Sequence, residues 1–106
     1  MSSTWDDTRR SRIEEVKNII ESNAELKGLR ERNVEYCSKI QEYEFEQLMG
    51  ELQPLWTNQR FATKEENERM VLLILEYRLR GFDMEYFTSG AGSFIRTKPE
   101  QHCVIL

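Results

Sequence analysis

Cys103, Val104, Ile105 and Leu106 bring a thiol, two aliphatic side chains and a leucine together at the end of the chain. The reactive form of a thiol is the thiolate, a strong nucleophile towards carbon electrophiles. Enzymatic alkylation of such a group needs it accessible, as a cysteine on an exposed, extended stretch would be. Ser89-Gly90-Ala91-Gly92-Ser93 has the composition of a flexible linker, and Thr97 to His102 is polar and contains Pro99, so a spacer of the required kind precedes the thiol. The other reactive side chains are less organised. His102 adjoins Cys103 but is the single histidine, and without fixed partners it reads as spacer rather than as a metal ligand or base. Cys37 falls on a helical apolar face and reads as a small core residue. Glu42, Glu44, Glu46 and Glu51 lack the Asp/Asn/Gly pattern of a calcium loop and read as a solvated face. Trp5, Trp56 and Phe61 read as core or cover. The sequence holds no serine–histidine–acid arrangement, glycine-rich phosphate loop or Cys-x-x-Cys motif, so the expectation is a protein that is not an enzyme and has no cofactor or metal.

The terminal Cys103-Val104-Ile105-Leu106 resembles the CaaX signal of prenylated proteins as a class. Leucine in the last place is the mark of a geranylgeranyl substrate. The resemblance implies lipidation of Cys103, with Val104, Ile105 and Leu106 read by the prenyltransferase, then removal of those three residues and methylation of the new carboxyl end. Membrane affinity would follow at ~0.8 kcal/mol per buried methylene, and stable anchoring takes a second signal. Only Arg96 and Lys98 supply nearby positive charge and no second cysteine flanks Cys103, so reversible membrane residence or help from a protein partner is expected. The resemblance stops at the tail. The Asn-Pro-Phe segment of G-protein gamma subunits is missing, as is the phosphate loop of small GTPases. A competing chemistry uses the same residues: Val104 and Leu106 sit two apart, which suits strand addition to a PDZ-type sheet edge. Prenylation and trimming would destroy that ligand, so the two readings exclude each other.

The chain has 106 residues, enough for one domain with a modest core. Charged residues make up 32% and apolar residues 39%, a globular balance, and the longest apolar run, Met70 to Leu75, is too short to cross a bilayer. The first residues are acidic and lack the glycine that myristoylation needs, so neither a secretory leader nor an N-terminal acyl chain is expected. A net charge of −4 without a dense basic face argues against nucleic acid, although Arg9, Arg10 and Arg12 form a local patch. Two cysteines this far apart do not make a disulfide framework, which favours a cytosolic setting, with the chain peripheral on the cytosolic face of a membrane.

The elements that must carry the tail read as helices. Ile13, Val16, Ile20 and Ala24 recur at three- and four-residue intervals, predicting a first helix over 4–27 with Gly28 as its stop. A second runs from Leu29 or Asn33 to Leu52, marked by Val34, Cys37, Ile40, Phe45, Leu48 and Leu52, although Glu42 to Glu46 alternates like a strand. Pro54 ends it, and residues 53–62 form a connector whose Leu55, Trp56 and Phe61 pack back on the core. Thr63 and Glu66 form a capping box opening a third helix that reaches Arg80, apolar nearly all round and therefore the most buried. Gly81 is its stop, and residues 82–87 suit a helical turn or a short extended piece. The expected fold is all-α, a small bundle of three or four helices, with residues 1–87 as the helical domain and 88–106 as a flexible C-terminal tail. The expected role is a lipidated adaptor or regulatory subunit; a soluble subunit of a multiprotein complex is the alternative.

Overall fold

The computed structural model describes the backbone of residues 3–89 and 92–97 and the side chains of residues 7–84. Five α-helices follow one another: α1 (Ser3–Ser22), α2 (Ala24–Arg32), α3 (Val34–Gln41), α4 (Phe45–Thr57) and, after a 3₁₀ turn at Gln59–Phe61, α5 (Lys64–Leu79). Two strands, β1 (Met84–Ser89) and β2 (Gly92–Thr97), complete the described chain. The helical class is as expected, with five helices in place of three or four.

α5 is the element on which the others pack. The Thr63 hydroxyl accepts the Glu66 N–H at 3.1 Å and the Glu66 carboxylate accepts the Thr63 N–H at 3.0 Å, closing the capping box. Downstream, Met70, Leu72, Leu73, Leu75 and Tyr77 are buried. Leu73 and Tyr77 meet the fully enclosed Leu48 and Leu52 of α4, each such leucine contributing roughly 1.5–3 kcal/mol of transfer free energy. This main core takes in Leu29, Ile40 and Tyr43 and ends on Met84 at the start of β1. A second, smaller cluster lies between α1 and α5, where Val16 and Ile20 meet Leu75.

Helix boundaries depart from expectation where side chains overrule glycine and proline. α1 stops at Ser22 because the Asn23 side chain accepts the N–H groups of Glu25 and Leu26, at 3.0 and 3.1 Å, and starts a new helix. Gly28 therefore lies inside α2 instead of ending α1. The expected second helix is three helices. Asn33 divides α2 from α3, its side chain donating to Leu29 O at 2.8 Å, and the strand-like stretch around Glu42–Glu44 is the break before α4. Pro54 sits inside α4; the residue four before it is Gly50, beside which an added Cβ would meet nothing within 4 Å. α4 ends at Asn58, whose backbone and side-chain N–H groups both donate to Pro54 O at 3.1 Å.

Residues 84–97 correct the expected domain boundary at residue 88. Met84 to Ser89 pairs antiparallel with Gly92 to Thr97, in a register running from Met84 opposite Thr97 to Ser89 opposite Gly92, and β2 lies alongside α4. The serine–glycine stretch expected as linker thus includes strand ends, since the residues that make linkers flexible are also those of tight hairpins. The tail from residue 98 onward lies outside the described residues.

Candidate functional site

The residues that carried the sequence argument, Cys103, Val104, Ile105 and Leu106 with His102 beside them, lie outside the described residues, as does the side chain of Trp5. Cys37 is half-buried against the main core, its Sγ 3.9 Å from Arg30 O, as a small core residue would be. Leu55 and Trp56 also pack on the core, but Phe61 does not: it is 85% exposed, carried outward on the 3₁₀ turn. The acidic run divides. Glu42, Glu44 and Glu46 face solvent, whereas Glu51 accepts hydrogen bonds from the phenols of Tyr36 and Tyr43. Burial and then the hydrogen bond to Glu51 push the Tyr36 phenol far above its ordinary value; for Tyr43 the bond to Glu51 comes first and burial second. Both are therefore neutral donors that tie α3 and the break after it to α4. Among the described residues no group of histidine, cysteine, aspartate and glutamate is placed to hold a metal ion.

Two arginines organise the end of α5. The Arg9 guanidinium donates from Nε and Nη2 to Arg80 O, at 3.0 and 2.7 Å, and lies 5.2 Å from the centre of the Phe82 ring. A cation at the negative end of a helix dipole, forked onto a carbonyl left open by the last turn, is favourable on both counts. Gly81 makes the approach possible: its φ is +90°, and an added Cβ would fall 2.4 Å from Arg9 Cγ. Arg80 in turn donates to Glu76 at 2.9 Å, an i, i+4 pair of the kind a helix brings together, and to Ile40 O at 3.0 Å, which closes the end of α3. Phe82 packs edge-on to Phe45 at 5.2 Å and against Tyr77 at 5.6 Å. The turn that leads into the hairpin is thus held to α1, α3 and α4 at once. Sequence reasoning marked Gly81 as a helix stop but not the arginine 71 residues away from Arg80 that seals it.

Two surface depressions flank this framework. A cleft of about 400 Å³ between the α2–α3 junction and the start of α5 is lined by Arg32, Asn33, Tyr36, Glu65, Glu68 and Arg69. Its two guanidinium groups and two carboxylates balance, and Arg32 already pairs with Glu68 at 3.5 Å, so the cleft selects neither sign of charge. A groove of about 270 Å³ runs between α1 and the turn after α5. It combines apolar Val16, Ile19 and Phe82 with Arg12, Arg78, Glu15 and Asp83.

Fold and surface together define a helical body followed by a β-hairpin, with a groove of mixed apolar and charged lining beside the turn that leads into it. Comparison with protein-family models, curated proteins and solved structures yields no match for this chain. Among the described residues no helix is long and apolar enough to cross a membrane.

Proposed function

We propose that the chain is a non-enzymatic adaptor or regulatory subunit, held at the cytosolic face of a membrane by a geranylgeranyl group on Cys103. The observation that carries this reading is the sequence Cys103-Val104-Ile105-Leu106, a cysteine followed by two aliphatic residues and leucine. Cys37 is half-buried against the core and is no candidate for a second acyl chain. One isoprenoid gives only marginal, reversible binding, so a protein partner supplies the rest of the affinity. The body offers apolar contacts for such a partner in Val34 and Phe61, both of which stand exposed.

Intact mass and membrane fractionation of the wild type and Cys103→Ser in eukaryotic cells test the anchor. The expected result is a prenylated, trimmed and methylated wild type in the membrane fraction and a soluble variant. An unmodified wild-type mass, or equal partitioning of the two, rejects it. The exposed Phe61 serves equally the other reading, a soluble interaction subunit with a coincidental tail, and an unmodified wild-type mass together with partner co-purification that survives deletion of residues 103–106 would support that instead.

A further inference from the structure

α1 is joined to the rest of the fold through one non-helical residue. Asn23 stands between Ser22, the last residue of α1, and Ala24, the first of α2, with φ −109° and ψ 107°. Turning ψ by about 150° brings it into the helical region and runs α1 and α2 together as one helix over 3–32. Nothing buried opposes that turn, because Glu21, Ser22, Asn23, Ala24 and Glu25 are all exposed and none is glycine or proline. The hydrogen bonds nearly balance. The Glu25 and Leu26 N–H groups would exchange the Asn23 side chain for Glu21 O and Ser22 O, four residues back. Asn23 N–H would leave a long 3.4 Å contact with Ile20 O for Ile19 O.

A straightened helix carries α1 off its own α5 and uncovers the seat of Val16 and Ile20, where Leu75 is edged by Leu26, Val71 and Leu79. That seat is shaped for one occupant. Arg80 O is open to a forked guanidinium, and Phe82 lies beneath the same cation. Gly81, at φ +90°, leaves the room that Arg9 Cγ takes. A helix that fits all of this carries an arginine seven residues before the first of two apolar anchors four apart, which is the spacing of Arg9, Val16 and Ile20. A second copy of the chain brings that spacing. We propose that two copies exchange α1, each seating Arg9, Val16 and Ile20 on α5 of the other.

Exchange keeps the contacts between α1 and the body, since the same residues meet across two chains, and only the two hinges differ. Concentration therefore decides between the forms. The tethered α1 of a single chain competes at an effective concentration on the order of millimolar, so the closed monomer prevails in dilute solution and the exchanged pair where copies are crowded. Confinement to a membrane is one such setting. With Cys103 prenylated, an exchanged pair brings two isoprenoids to one surface, the second anchor that a single chain lacks. That consequence rests on the lipidation proposed above; the exchange itself does not.

Analytical ultracentrifugation of the unlipidated full chain, purified from bacteria and kept reduced, tests the exchange apart from the lipid. Asn23→Ala removes the cap from the closed form and favours the straight one, so its association constant should rise by roughly tenfold for each of the two hinges. Asn23→Asp keeps the cap and should associate no more strongly than the native chain. The native chain should be partly dimeric at about 1 mM, which leaves the test standing whether or not Asn23→Ala folds. In dimers assembled from isotope-labelled and unlabelled chains, filtered nuclear Overhauser spectra should place Val16 methyls of one chain against Leu75 methyls of the other. Dimers whose Val16–Leu75 contacts stay within each chain, association indifferent to residue 23, or a native chain wholly monomeric at that concentration would overturn the proposal. None of these outcomes depends on whether Cys103 is ever prenylated.

Discussion

Arg9 shows how a single surface arginine can become structural. Its fork onto Arg80 O satisfies a carbonyl that α5 cannot satisfy itself, and its plane covers Phe82. Removing it leaves a half-buried acceptor open and withdraws a cation from the helix end, so Arg9→Ala should cost about 1–3 kcal/mol. Arg9→Lys should recover little, because an ammonium group keeps the charge but cannot reproduce two bonds converging on one carbonyl oxygen with the cation held over Phe82. Urea unfolding of the two variants checks this; a lysine variant as stable as the wild type would reduce Arg9 to a charge effect. The contact also marks a limit of reading at this scale. Thr63 with Glu66 and Glu76 with Arg80 were legible because partners three or four residues apart meet on any helix. Arg9 and Arg80 meet only after α1 has docked, and no local spacing announces that.

At the scale of elements, caps determined the helix boundaries more than glycine or proline did. Gly28 and Pro54 read as stops because each is unfavourable inside a helix, by about 1 and 3 kcal/mol in isolation. Tertiary packing absorbs penalties of that size: Leu29 is buried one residue after Gly28, and Leu52 two residues before Pro54. Asn23 and Thr63, by contrast, satisfy N–H groups at the helix starts that packing leaves open. Thr63→Ala should therefore destabilise the protein by about 1 kcal/mol, and Thr63→Ser should restore most of the loss. The same cap has a pH signature. Hydrogen bonds from the Thr63 backbone and hydroxyl hold the Glu66 carboxyl below its ordinary value. A lowered folded value means that the unfolded chain takes up the proton first, so the contribution is complete above the ordinary glutamate range and is lost as pH falls through the folded value. The gap in denaturation midpoints between wild type and Thr63→Ala should then narrow at low pH, down to the share of the pH-independent Glu66 N–H bond; a gap that stays constant as the pH falls through the acid range would show that the Glu66 carboxylate takes no part.

For the whole molecule, the division of the core into a large and a small cluster sets how it opens. The helical body was legible because a capping box opens α5 and its apolar residues from Met70 to Leu79 lie on nearly every side, from which its burial follows. The hairpin was not, because Thr88 to Ser93 has the composition of a linker, and only the pairing of Tyr86 with Ile95 and Phe87 with Phe94 reveals the β-forming residues as partners. Nor did the stripe on α1 tell what it would meet; it meets α5 in a small cluster of buried Val16, Ile20 and Leu75, edged by half-buried Leu26, Val71 and Leu79, with Arg9 as a polar clasp at one end. A helix held by so thin a seam should open below the global unfolding free energy, whereas α4 and α5, locked by Leu48, Leu52, Leu73 and Tyr77, should open only with the whole. Native-state hydrogen exchange distinguishes the two. Leu73→Ala should lower protection everywhere, by about 2–5 kcal/mol. Val16→Ala should lower it in α1 while leaving the centre of α5 nearly unchanged. Loss of protection in both helices to the same degree would mean that α1 belongs to the main cooperative unit, and that the groove it forms with Phe82 persists for as long as the fold does.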